Sequence, residues 1–159
     1  MRAVTLWQPW ASLIACGAKR FETRSWCPPK PFGYLVAVHA GKYFPAKLQY
    51  TAEWPLMVQA LQRDGIKGRA ELPKMAILCV CRLAEVLPTE TAAHVVSDMD
   101  RACGDYTSGR FAWRLDLIHR MDPPVPFRGK RNLWIWDNLQ GYPLPESCRE
   151  AKPAVKHFF

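Results

Sequence analysis

The six cysteines of this 159-residue chain (Cys16, Cys27, Cys79, Cys81, Cys103 and Cys148) include no CxxC pair. None stands with a histidine at zinc-finger spacing, so the ligand sets of structural zinc and of paired redox thiols are missing. No metal and no cofactor are expected. Cys79 and Cys81 lie two apart in an apolar run and should face the same side of a strand as small hydrophobes. No apolar run approaches the roughly 18 residues that a membrane-spanning helix needs. Met1-Arg2-Ala3-Val4 leads straight into patterned sequence rather than into the apolar stretch of a signal peptide. A soluble, cytoplasmic protein without membrane contact is the expectation. The chain also lacks internal repeats and low-complexity tracts.

What is present is apolar mass and positive charge. With 49% hydrophobic residues and seven tryptophans, a chain of this length can fill a core without disulfides or a metal. The net charge of +8 is unevenly spread. Residues 1–50 carry seven basic and one acidic side chain, residues 51–106 six and eight, and residues 107–159 nine and five. If the two basic ends meet in the fold, they form a positive face that attracts phosphate. Scattered lysines on an ordinary basic protein would give the same totals.

Periodicity divides the chain into short strands and helices. Residues 2–7 read as a strand, and Pro9 opens a helix in which Trp10, Leu13 and Ile14 recur at helical spacing before Gly17 stops it. Residues 20–26 alternate, with Glu22 and Arg24 on one face and Phe21 and Thr23 on the other. A loop follows at Cys27-Pro28-Pro29-Lys30-Pro31. Residues 34–39 are apolar throughout and read as a buried strand. Residues 55–63 read as a helix, 75–86 as a long strand, and 89–97 as a short helix. The polar segment 98–109 is expected to be a loop. Residues 110–119 give the clearest strand, followed by a turn at Pro123, Pro124 and Pro126 and a last strand over 132–137. Five or six strands without regular βαβ alternation indicate an α+β domain, a small partly closed barrel with helices inserted between strands. Residues 138–159 read as a C-terminal extension of a domain spanning 2–137.

Several segments resemble one family. Leu6-Trp7-Gln8-Pro9-Trp10-Ala11-Ser12-Leu13-Ile14, then Gly17-Ala18-Lys19-Arg20-Phe21-Glu22-Thr23-Arg24, looks like the signature of the ASCH domain. Its pattern is a strand, a proline-started helix, then Gly-x-Lys-x-x-Glu-x-Arg entering the next strand. Val38-His39-Ala40-Gly41-Lys42, Gly109-Arg110-Phe111-Ala112-Trp113 and Gly129-Lys130-Arg131-Asn132-Leu133-Trp134-Ile135-Trp136-Asp137 agree with it. The resemblance implies a PUA-like β-barrel with a cleft beside the first helix and RNA-related ligands.

The candidate site residues follow from chemistry within these motifs. Trp7 can stack on a base and Gln8 can bond its edge, because a strand-to-helix junction exposes both side chains and backbone. Trp10 shares a helical face with Leu13 and Ile14 and so reads first as core. Glu22 and Arg24, two apart on a strand, are within pairing distance, which allows a purely structural ion pair. Alternatively, Lys19 and Arg24 contact phosphate or carbonyl groups while Glu22 accepts from a base edge or acts as a general base. His39 and Lys42 close the third strand, His39 equally suited to a satisfied core histidine. Arg110 and the Arg128–Arg131 turn are candidate phosphate contacts, or a solvated basic turn.

Three functions stay open on these residues. One is binding of RNA or a modified nucleoside or nucleotide. The second is hydrolysis of an amide or phosphodiester using Lys19 and Glu22, with Glu85 as a further acid. Some hydrolases similar to ASCH domains use a lysine, a threonine and a glutamate, and here Glu22 occupies the threonine's place. The third is a protein-interaction module in which the motif is structural.

Overall fold

The computed structural model describes residues 1–137 and 141–148. Six strands form one mixed sheet: β1 (Arg2–Leu6), β2 (Phe21–Arg24), β3 (Leu35–Ala40), β4 (Ala76–Pro88), β5 (Phe111–Pro126) and β6 (Leu133–Ile135). Their order is β2-β5-β4-β3-β1-β6. Among the described residues only β1 and β3 run parallel, in the register Val4 to Val38, and the chain between them supplies the crossover. The sheet curls. Arg24, on the edge strand β2, donates from Nη2 to the Thr5 carbonyl of β1 at 3.0 Å. A side chain therefore bridges the gap in the partly closed barrel, where the strand order contains no backbone pairing of β2 with β1 or β6.

Both faces of the central strands are covered, which is why β3 and the first half of β4 are apolar throughout. Val36, Val38, Leu78, Cys79 and Cys81 pack on one face with Ala11, Ile14 and Ala15 of helix α1 (Trp10–Ala15). Leu35, Ala37, Ile77 and Val80 pack on the other with Met121, Trp134 and Trp136. The Cys79 and Cys81 sulfurs lie 3.8 Å apart on one side, and all six cysteines are free. Helix α2 (Trp54–Arg63) sets Met57 and Leu61 against Leu13 in a third cluster.

Two segments depart from the sequence reading. The helix expected over 89–97 stops early as α3 (Thr89–Ala92), and a second helix, α4 (Asp98–Cys103), stands where a loop was expected. Ser97 explains α4: its hydroxyl accepts from the Asp100 N–H at 3.1 Å and caps the first turn. The proline turn after residue 119 lies inside β5 instead of ending it. Pairing skips from Cys79–Arg120 to Ile77–Val125, so Pro123 and Pro124 fall in a bulge that needs no ladder hydrogen bond.

Of the expected extension over 138–159, residues 141–148 lie against the second cluster, with Tyr142 and Leu144 packed on it and Cys148 buried. The rest of that segment falls outside the described residues. Among the described residues no helix is long and apolar enough to cross a membrane.

Candidate functional site

Where β1 ends and α1 begins, the chain leaves a large indole in solvent. Trp7 is 51% exposed, its ring centroid 4.4 Å from Tyr43 in an edge-on contact and 6.3 Å from Trp10 at an interplanar angle of 26°. Two aromatic neighbours hold the indole in place and leave much of it in solvent. It borders a cleft of about 410 Å3 whose other walls are Thr5, Trp10, Glu22–Arg24 of β2, residues 102–105 at the end of α4, and Arg110.

The floor of this cleft is charged and tightly organised. Lys19 is 1% exposed; its ammonium donates to the Phe21 carbonyl and lies 3.1 Å from Glu22 Oε2. Arg24 Nε lies 3.1 Å from Glu22 Oε1, off the line of a hydrogen bond. Each carboxylate oxygen of Glu22 thus has its own cation behind it, and the group stays an acceptor with lone pairs to spare. Asp100 fixes the turn that delivers these residues. Its Oδ1 accepts from the backbone N–H groups of Arg20 and Phe21 at 2.7 and 2.8 Å, and its Oδ2 accepts from Ser97 Oγ at 2.7 Å.

The opposite wall carries a second pair. Arg110 Nε donates to the Asp105 carbonyl at 3.2 Å and lies 3.3 Å from Asp105 Oδ2. Hydrogen bonds from the Thr107 hydroxyl and N–H hold the Asp105 carboxyl below the usual carboxylate range. Thr23 also lines the cleft, and its Oγ1 accepts from the Asp105 N–H at 2.9 Å. Burial pushes the Cys103 thiol up to about 12, so at neutral pH it is no thiolate nucleophile.

The sequence candidates therefore separate. Trp7, Glu22, Arg24 and Arg110 line one hollow, with Lys19 directly beneath. Trp10, read as core, does both jobs: it packs on the third cluster and lines the cleft. Gln8 does not reach it. Its amide is fully buried, donating to Ser12 Oγ and the Pro73 carbonyl and accepting from the Ser12 N–H, so it is spent on the first turn of α1 and on tying that turn to Pro73. His39 faces the second cluster, where Nε2 lies 2.8 Å from the Phe127 carbonyl and the ring meets Trp134 edge-on. Lys42 is exposed and outside the lining. Glu85 pairs with Arg114 at 2.6 Å, also outside the cleft.

His39 nevertheless touches the site indirectly. Gly129 packs so closely on it that a Cβ would come within 2.7 Å of Thr5 Oγ1 and closer still to the imidazole. Thr5 Oγ1 donates to the Lys130 carbonyl at 2.8 Å. Thr5 is itself a wall of the cleft, so the turn carrying exposed Arg128, Lys130 and Arg131 is tied to a residue of that wall.

The model of the ASCH domain family matches residues 4–124. The chain belongs to the ASCH domain family. No curated protein matches this ASCH domain. Among solved structures it resembles the crystal structure of ASCH from Zymomonas mobilis, with a TM-score of 0.50 and 14% identity, covering 88% of this chain and 90% of that one. A single-residue variant of that protein gives 0.49 and 15%, covering 86% and 88%. At such identity the likeness is one of fold, a mixed α+β architecture of the PUA-like kind.

Two features of this ASCH domain were not foreseen in its sequence. The wall formed by residues 102–105 falls in a segment whose polarity suggests a loop, although Ser97-Asp98-Met99-Asp100 has the capping spacing that announces a helix start. The role of Asp100 has no local signature, because its two backbone partners lie about 80 residues away in the chain. Among the described residues no group of three or more histidine, cysteine, aspartate or glutamate side chains is placed to hold a metal.

Proposed function

We propose that this ASCH domain binds a nucleotide base, carried in RNA or in a modified nucleotide, in the cleft between Trp7 and Glu22–Arg24. The observation that carries the reading is the half-exposed indole of Trp7, braced by Tyr43 and Trp10, beside a polar floor that ends in Arg24 and Glu22. A cleft of about 410 Å3 is within the range of small-molecule sites. Stacking on such an indole is typically worth about 1–3 kcal/mol per base. Arg110 lines the same cleft, the turn of Arg128, Lys130 and Arg131 is tied to its Thr5 wall through the Lys130 carbonyl, and these cations supply phosphate contacts for a strand that leaves it. We assign the binding domain to residues 2–137 and the C-terminal extension to 138–159.

Titration of the protein with short single-stranded RNAs at two salt concentrations tests this. Saturable binding that weakens with salt and is lost in Trp7→Ala is expected. Binding that is absent, or unaffected by that substitution, refutes it.

Hydrolysis by Lys19 and Glu22 is the second reading, favoured by the 3.1 Å contact between them beside the cleft. Binding has the stronger support. The Lys19 ammonium is committed to Glu22 and the Phe21 carbonyl, and Glu22 stands where the related hydrolases carry their threonine. Unchanged turnover of an acylated nucleoside or an RNA in Lys19→Ala and Glu22→Gln would end the hydrolytic reading.

A further inference from the structure

We infer that the base this cleft selects is guanine; the inference rests on the nucleotide-binding reading and adds to it the identity of the base. Glu22 lines the cleft with each oxygen paired to a cation, Lys19 Nζ 3.1 Å from Oε2 and Arg24 Nε 3.1 Å from Oε1. Paired with those cations, the carboxylate offers two adjacent acceptor oxygens. Arg24 also lines the cleft. Of its guanidinium hydrogens, one goes to the Thr5 carbonyl and the Nε hydrogen is off line for Glu22, so others are free to donate. Side by side on β2, the two groups present a donor next to two acceptors.

The edge that complements this row is an acceptor next to two donors. Guanine has it: O6, then N1–H, then the N2 amine. Adenine and cytosine each offer one amine beside a ring nitrogen that accepts, and that nitrogen would face a carboxylate oxygen. Uracil has one N–H between two carbonyls. A site built to bond a donor rejects an analogue lacking it, because a buried acceptor is then left without a partner. Trp7 holds any base by its face, so stacking does not discriminate and the carboxylate does.

Calorimetric titration of the full chain with the 5′-monophosphates of guanosine, inosine, adenosine, cytidine and uridine tests the assignment. A pentamer RNA with one central guanosine, and its inosine counterpart, distinguish a free nucleotide from a base within a strand. Guanosine should bind about tenfold or more tightly than inosine, which lacks only the N2 amine, and than the other three. Glu22→Gln should bring guanosine down to the level of inosine. Equal affinity for guanosine and inosine in the unaltered protein, with binding still lost in Trp7→Ala, overturns guanine selection and leaves nucleotide binding standing. Absence of binding by every mononucleotide and both pentamers overturns the two together. The inosine comparison uses the native chain, so it decides the matter even if Glu22→Gln fails to fold.

Discussion

Replacing Lys19 with methionine removes a charge and keeps the shape, and the structure sets what that should cost. The ammonium is almost fully buried, bonded to the Phe21 carbonyl and paired with Glu22. Without it the Phe21 carbonyl loses this side-chain donor. The Glu22 side chain, only 13% exposed, is left with Arg24 alone. Breaking a buried pair by removing one partner costs about 3–5 kcal/mol. The surviving Arg24 contact places Lys19→Met near the lower end, about 3 kcal/mol. That is a large share of the roughly 5–15 kcal/mol that stabilises an ordinary domain. Removing both charges in Lys19→Met with Glu22→Gln should cost less than the two changes summed, with a coupling of about 1–3 kcal/mol. Urea denaturation of the four proteins at neutral pH measures this, provided the denaturant slope stays constant. A cost for Lys19→Met below about 1 kcal/mol, or strict additivity in the double variant, would refute the claim that this pair holds the cleft floor.

Gly129→Ala should destabilise the fold by about 1–3 kcal/mol, since the added methyl collides with a buried imidazole and with Thr5 Oγ1. It should also weaken RNA binding at low salt by displacing the basic turn; unchanged thermal stability would contradict the close packing described. His39 should make stability fall in acid. Burial pushes its pKa below the usual value, the Phe127 hydrogen bond opposing this only in part. Its neutral form is thus favoured in the fold. The unfolded chain takes up the proton first as pH drops through about 6.5, so the His39 contribution is complete above that pH and shrinks below it. Denaturation at pH 7.5 and 5.5 should show a smaller acid loss for His39→Gln than for the native protein, and equal losses would refute the assignment.

Local pattern alone determined much of this architecture. Alternation announces the strands with one solvated face, and continuous apolar runs announce the central strands covered on both; nothing distant is needed to see either. The segment Trp7–Arg24 was likewise legible as unusual chemistry, and it does border one hollow. Tertiary structure decided which of its members meet solvent. Gln8 and Trp7 are neighbours in the chain, yet one is spent on the first turn of α1 and the other is left half exposed. Lys19 is a buried support rather than an exposed contact, its ammonium bonded to the Phe21 carbonyl and paired with Glu22. The far wall, from the end of α4 to Arg110, joined the cleft only through long-range bonds: Asp100 to the turn before β2, and Thr23 to the Asp105 N–H. Contacts between residues about 80 positions apart leave no periodic trace in a single chain, which is why folding alone could assemble the site.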